Sequence, residues 1–319
     1  MANTLDQLGY HVEPLSEQNV GLLRPLMLAS FGLEVPDGYF EWKFFGSPHG
    51  RVIGSLVRHT QSGDPASYYG MIPTAYRIGG EVRTVHHATD GMTHPDHRRK
   101  QLYVAACRAT YERPELPSDF VGIGFSSHDL VKPYLMLGWQ QPILIPFYFR
   151  PRLLCWLAQA RRIIPLAPAP LAATDHAAII ASRARDQTTV EISSAYLAWR
   201  FANPSHDYLV IRDGASFAVY VVLDKTLFVI DFHAGTDAQR RRLLHSLDAV
   251  VLAQKFKGML TFAQRGTRYE RTLRASGFVR NDTGRGPAAN RIPLVTWSQE
   301  AALHQPDAWS MTPLDHDAY

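Results

Sequence analysis

The stretch from Asp90 to Tyr103 constrains this chain most, because the hydrophobic period changes across it. Upstream, Glu81 to Ala88 carries the β-branched residues Val82, Thr84 and Val85 after the turn dipeptide Gly79-Gly80, and reads as a strand. Downstream, Leu102, Ala105, Ala106 and Ala109 recur at helical spacing as far as Tyr111, and Pro114 closes the run. Between them lies Thr93-His94-Pro95-Asp96-His97-Arg98-Arg99-Lys100-Gln101, a short basic loop. A strand that feeds such a loop into a helix N-terminus presents backbone N–H groups and cationic side chains together, which suits a pyrophosphate-sized anion. From the charges alone, a solvated basic turn is the simpler account.

The flanking segments supply an order. Tyr10 to Leu15 reads as a first strand, and Ser16 can cap a helix from Glu17 to about Ser30. Gly38 to Phe45 is a second helical piece. Arg51–His59 and Ser67–Ile78 are paired strands joined by Gln61-Ser62-Gly63-Asp64-Pro65. After the basic loop and its helix come a short buried strand at Asp119–Phe125, a helix capped by Ser126 or Ser127, and a long aromatic-rich strand from Gly138 to Arg150. Leu153, Leu154, Trp156 and Leu157 with Arg161 and Arg162 then form a short amphipathic helix, expected to pack across a domain junction. Pro165, Pro168 and Pro170 stiffen the linker behind it.

Beyond that linker the pattern repeats. Tyr196-Leu197-Ala198-Trp199-Arg200-Phe201 echoes Tyr39-Phe40-Glu41-Trp42-Lys43-Phe44, and Gly277-Phe278 stands where the first half has Gly138-Trp139. Three strands (Tyr208–Arg212, Phe217–Leu223, Thr226–Phe232), a helix from about Asp237 to Gln254 and a strand at Gly258–Phe262 lie between these echoes. The expected division is a first domain over 1–150, a helix and linker over 151–175, a second domain over 176–299, and a polar, loosely held tail over 300–319. The fold class is α/β (α+β), with two tandem domains, each a mixed, mostly antiparallel sheet flanked by helices.

The loop sequence Thr93 to Tyr103, in this element order, resembles the acyl-CoA loop of the GNAT (Gcn5-related) N-acetyltransferases, in a tandem arrangement. That family shows Arg/Gln-x-x-Gly-x-Gly/Ala opening a helix. Arg98 sits on the first position, Gln101 replaces the first Gly, and Tyr103 replaces the second small residue. The resemblance implies that Arg98, Arg99, Lys100, Gln101, Leu102 and Tyr103 hold the pyrophosphate of acetyl-CoA or another acyl-CoA. It also implies that Met92 and Thr93, at the strand end, receive the thioester carbonyl. Tyr134, four residues before Gly138-Trp139, matches the family's proton donor to the leaving thiolate. A phenol with an ordinary pKa near 10 suits that role. Ser127 stands where the family often has an Asn that binds the cofactor, and Pro133 precedes Tyr134. Asp90 is the expected base, with His86 and His87 as rivals. Adjacent strand residues face opposite sides, so only one of the two histidines can face a cleft.

Composition narrows the function classes. A net charge of +4 over 319 residues is too slight to argue for nucleic acid. Two cysteines, Cys107 and Cys155, make no disulfide framework or CxxC metal pattern, and no metal is expected. The N-terminus lacks a signal-peptide pattern and no run reaches the roughly 20 apolar residues of a membrane span. A cytoplasmic protein is expected. The resemblance implies an acyl-CoA-dependent N-acyltransferase, acetyl by default, acting on a primary amine of a small molecule. Similar tandem proteins suggest an amino sugar of polysaccharide metabolism. The alternatives are a non-catalytic binding protein of the same fold and a Fem-like aminoacyl transferase. The second half lacks the loop glycines and has Leu273 where the first has Tyr134, so it reads as a degenerate copy.

Overall fold

The structure is a computed structural model that describes residues 2–159, 163–183, 188–281 and 291–316. The first half runs α1 (Ala2–Gln7), β1 (Tyr10–Pro14), α2 (Leu23–Phe31), a π-helical turn (Glu41–Phe45), β2 (Ile53–His59), β3 (Pro65–Ile78) and β4 (Glu81–Thr93). It continues with α3 (Leu102–Tyr111), β5 (Val121–Phe125), α4 (His128–Met136) and β6 (Gln140–Ile145). The second half runs β7 (Phe147–Pro151), α5 (Arg152–Ala158), β8 (Ala169–Pro170), α6 (His176–Ala181), β9 (Thr189–Val190), α7 (Ser194–Arg200), β10 (Leu209–Asp213) and β11 (Ser216–Leu223). It ends with β12 (Thr226–His233), α8 (Asp237–Ala253), β13 (Gly258–Phe262), α9 (Arg268–Ala275), β14 (Val279–Arg280) and β15 (Ile292–Trp297).

Two sheets result. Their strand orders are β1-β2-β3-β4-β5-β15-β6, with β9 added to β3, and β14-β7-β13-β12-β11-β10-β8. Read from opposite ends, the two orders describe one topology: an antiparallel meander, one parallel pair across a helix, and an inserted antiparallel strand. The parallel pairs are β4–β5 and β12–β13. The inserted strand comes from the other half in each case. β15 enters the first sheet between β5 and β6, and β7 enters the second between β13 and β14.

The expected single strand from Gly138 to Arg150 is therefore two. Pro146 breaks it, having no N–H to donate to a ladder, and the chain crosses between sheets there. The exchange is held by burial. Ile292, Leu294 and Val295 of β15 are in the core, and a fully buried aliphatic side chain contributes about 1.5–3 kcal/mol relative to exposure.

A shared core lies between the sheets. Val85, Val121, Ile123 and Leu294 of the first meet Val219, Val221, Phe228, Ile230 and Phe262 of the second in one cluster. Leu102, Ala106 and Tyr134 of α3 and α4 close one outer layer of the first sheet, and α2 with the π-helical turn closes another. Helices α8, α9 and α5 cover the second sheet through Leu243, Leu247, Leu273 and Cys155.

Three local expectations change. Helix α2 begins at Leu23 and not at Glu17, because Asn19 accepts the Ser16 N–H at 2.8 Å and donates to the Pro14 carbonyl at 2.9 Å, forming a turn instead. Helix α5 packs on α8 while Leu153, Trp156 and Leu157 stay exposed; Arg161 and Arg162 lie outside the described residues. The chain end is not loosely held as far as it is described. Trp309, Met311 and Leu314 are buried. Both carboxylate oxygens of buried Asp315 are committed, one to the Val190 N–H at 2.8 Å and the Thr189 hydroxyl, the other to the Thr312 N–H at 2.8 Å. A buried carboxylate is tolerable only with such partners. Residues 317–319 lie outside the described residues.

Candidate active site

β4 outruns its parallel neighbour. Pairing with β5 runs from Val85–Val121 to Ala88–Gly124 and stops, while β4 continues to Thr93 against β3. The β3–β4 ladder shifts register between Tyr68 and Gly70, and Asp90 lies in the resulting bulge with φ of 49°. A bulge re-aims side chains at a strand end, and left-handed backbone is costly for a non-glycine residue. The β4 segment from Thr89 to Thr93 thus borders a gap where the parallel strands part.

Asp90 faces a partner that sequence reasoning missed. Lys43, from the π-helical turn, places its Nζ 2.7 Å from Asp90 Oδ2; the side chains are 1% and 16% exposed. Lys43 Nζ also reaches the Tyr39 hydroxyl at 3.3 Å and lies over that ring. A charged residue inside the aromatic run Tyr39–Phe45 is the available signal, since a buried lysine requires a counter-charge. The Asp90 carboxylate therefore lies beside an ammonium.

Tyr134 reaches the gap from the other layer. A Cβ built on Gly124, the last β5 residue paired to β4, would lie 3.7 Å from the Tyr134 hydroxyl and 3.3 Å from the Ala88 Cβ. Pro133 lies within α4 without displacing Tyr134 from the core, and Ser127 is the helix N-cap but makes no side-chain capping bond. The ring packs with Trp139 at 4.9 Å, Tyr103 at 6.2 Å and Tyr69 at 6.3 Å between centroids. The Trp139 indole N–H donates to the Tyr111 hydroxyl at 2.8 Å, which contacts the Tyr69 hydroxyl at 3.4 Å. Burial pushes the phenols of Tyr69, Tyr103 and Tyr111, and the Cys107 thiol, well above their usual values. All four therefore keep their protons at neutral pH. Asp90 and Tyr134 belong to different layers: Lys43, the partner of Asp90, comes from the turn packed with α2, and Tyr134 packs with α3.

Beyond β4, the Met92 carbonyl accepts the Ser67 hydroxyl at 2.9 Å, and the Thr93 and Ser67 hydroxyls meet at 2.8 Å. Arg98 Nε donates to the Thr93 carbonyl at 3.4 Å. Lys100 Nζ donates to the Tyr10 hydroxyl at 2.7 Å, and that hydroxyl also meets His97 Nδ1 at 2.8 Å. Arg98, Arg99, Lys100 and Gln101 are all exposed, and a cavity of about 510 Å³ adjoins Arg99, Lys100, Gln101 and Arg108.

Two loop residues take left-handed backbone, Arg99 at φ 65° and Gln101 at φ 59°, the latter as N-cap of α3. Glycine adopts this conformation at little cost, and Gln does not. Leu102 and Tyr103, the first residues of α3, are buried. Tyr103 lies over the β4 bulge: a Cβ at Gly91 would meet its ring at 2.6 Å, so a side chain at position 91 would have to displace the ring. The N-terminus of α3 and the cationic loop follow the end of β4, with the Tyr103 ring packed over its bulge.

The rival bases occupy opposite faces, as strand alternation requires. His86 lies edge-on to Phe120, and burial lowers its pKa to about 4 against the pull of a backbone hydrogen bond at Val121. His87 packs on Phe125 in the core between the sheets. Both lie inside the paired part of β4, short of the gap. Among the described residues, no three His, Cys, Asp or Glu side chains converge as a metal site would, and no helix is long and apolar enough to cross a membrane.

No protein-family model matches the sequence, and no curated protein matches it significantly. Solved structures do match its fold. A GCN5-related N-acetyltransferase from Kribbella flavida is 13% identical, with a TM-score of 0.62 over 92% of this chain and 72% of its own. A probable N-acyltransferase from Enterococcus faecalis V583 is 9% identical, with a TM-score of 0.61 over 91% and 72%. Saccharomyces cerevisiae N-myristoyltransferase, crystallised with bound myristoyl-CoA, is 11% identical, with a TM-score of 0.61 over 91% of this chain and 78% of its own. The chain has the fold of the GCN5-related N-acetyltransferases, here in two sheets of one topology that exchange a strand.

Proposed function

We propose that this protein is an acyl-CoA-dependent N-acyltransferase, acetyl by default, that acts on a primary amine of a small molecule, with an amino sugar as the first acceptor to test. The reading is supported by the Tyr134 hydroxyl beside Gly124, where β5 pairing with β4 ends, and by the Lys43–Asp90 pair in the β4 bulge that follows, next to a basic loop at a helix N-terminus.

The thioester supplies an activated acyl group. Arg98, Arg99 and Lys100, with the first-turn amides from Gln101 to Tyr103, hold the pyrophosphate, and Ser127 borders the thiol arm. The Met92 and Thr93 backbone lies where a carbonyl oxygen gains charge, so an N–H there stabilises it. Asp90 Oδ accepts the proton lost by the attacking amine, and Lys43 fixes the carboxylate toward the gap. As the carbon–sulfur bond breaks, the Tyr134 hydroxyl donates its proton to the departing sulfur. In this reading the first half carries the chemistry, the second half braces it through the exchanged strands, and the two buried free cysteines suit a cytoplasmic enzyme.

One observation favours a non-catalytic binding protein instead: Gln101 and Tyr103 crowd the loop and the gap where the family has small residues. Acetyl-CoA titration followed by turnover with amino sugars separates the readings. Saturable binding with amine-dependent release of CoA supports the acyltransferase, and binding without release supports the binding protein. Failure of acetyl-CoA to bind leaves the Fem-like transferase, which draws its donor from aminoacyl-tRNA.

A further inference from the structure

The second sheet has a site of its own at the same place in the topology. The β11–β12 ladder shifts register between Val219 and Tyr220, as the β3–β4 ladder does beside Asp90, and Asp231 lies next to that shift. Its buried carboxylate accepts Arg183 Nη2 at 2.6 Å and its own neighbour's N–H, from Phe232, at 2.9 Å. A cavity of about 80 Å³ opens beside this pair, lined also by His233, Arg268, Thr272 and Thr312.

The cavity cannot serve acyl-CoA. Its water-accessible space of about 80 Å³ suits a group of a few heavy atoms, such as one carboxylate or phosphate. The connection from β12 to α8 is only Ala234-Gly235-Thr236, against eight residues from His94 to Gln101 in the first half. Thr236 caps α8 by accepting the Gln239 N–H at 3.2 Å, and Asp237 puts negative charge in the first turn. A pyrophosphate would meet that carboxylate.

The charge around the cavity is unbalanced toward donors. Asp231 is the acid in the lining, and both its oxygens are engaged. Against it stand two guanidinium groups, Arg183 and Arg268, and the His233 imidazole. The buried Arg183 Nε meets no acceptor among the described residues. An arginine held by one carboxylate, lining a polar cavity beside a second arginine, is a preorganised oxyanion receptor. We propose that this cavity binds one small oxyanion, a carboxylate or phosphate group, between Arg183, Arg268 and His233, with Asp231 holding Arg183 in place. The site lies on the second sheet, shares no residue with the β4–β5 gap, and does not depend on the acyltransferase reading.

The test is calorimetric titration of the full chain with acetate and, separately, inorganic phosphate. Saturable binding of either anion is expected, and whichever binds identifies the group. Arg268→Gln, at an exposed position, should weaken binding about tenfold. Arg183→Gln combined with Asp231→Asn, which leaves no unpaired acid, should abolish it. Arg152→Gln, at an exposed position outside both sites, should leave it unchanged. No saturable binding of either anion, or binding that Arg152→Gln removes and Arg268→Gln does not, would overturn the proposal.

Discussion

Trp42 and Trp199, 157 residues apart, each donate their indole N–H to the other's backbone carbonyl, at 2.6 and 2.8 Å, with their rings stacked at 5.5 Å. Each occupies the same place in its half of the repeat, so the contact is self-complementary about an approximate two-fold axis. Removing one ring takes away stacking, one donor, and the acceptor's partner. Trp199→Ala should cost about 3 kcal/mol in denaturant unfolding, and Trp42→Ala a similar amount. The double variant should fall well short of the sum, because the two residues share one interaction. Additive losses would mean that the rings stabilise their own halves independently.

The Lys43–Asp90 pair gives a second prediction. Lys43→Met leaves a largely buried carboxylate without its ammonium and should destabilise the fold by about 3–5 kcal/mol. Adding Asp90→Asn should recover much of that loss, because the stranded charge is gone. Turnover should not recover, since the proton acceptor has gone with it. Recovery of both stability and activity in the double variant would remove Asp90 from the mechanism.

Gln101 stands in left-handed backbone at the start of α3, a conformation usual for glycine. Gln101→Gly should tighten CoA binding by about 0.5–2 kcal/mol in calorimetric titration, as local strain is relieved and no Cβ opposes the phosphate. Helix α3 should not be weakened, because position 101 is its left-handed N-cap and not an interior residue. Weaker CoA binding in the glycine variant would show that the side chain itself contributes to the site.

Much of the site's frame could be read from sequence, because it rests on local signals. The strand, basic loop and helix follow from a change of period around Pro95, and the Trp42–Trp199 echo announced two related halves. What could not be read is non-local. Nothing in the sequence of Ile292–Trp297 says which sheet it joins, so the exchange with Phe147–Pro151 is not legible there. Trp309, Met311 and Leu314 follow neither strand nor helix period, which is why their burial under Asp315 was missed. Lys43 looked like one polar residue in an aromatic run, and only the tertiary placement of the β4 bulge gives it Asp90.

His86 predicts a pH dependence of stability. Its pKa is about 4 in the fold, against 6.5 when exposed, so between these values the unfolded chain binds the extra proton. Its contribution is fully present above pH 6.5 and is lost as pH falls toward 4, up to about 3 kcal/mol. Burial lowers His49, His97 and His233 as well, with the same sign. His86→Phe should flatten the acid limb of a denaturation-versus-pH series. An unchanged limb would mean that His86 does not titrate as a buried neutral ring.

Acyl transfer by this protein is tested by one assay: release of free CoA thiol from acetyl-CoA, measured with and without amino-sugar acceptors. Release should require the amine and fall about tenfold to a thousandfold in both Asp90→Asn and Tyr134→Phe, while acetyl-CoA affinity stays near that of the parent. Acetyl-CoA that binds without amine-dependent release, or release unchanged in both variants, would contradict the proposed function.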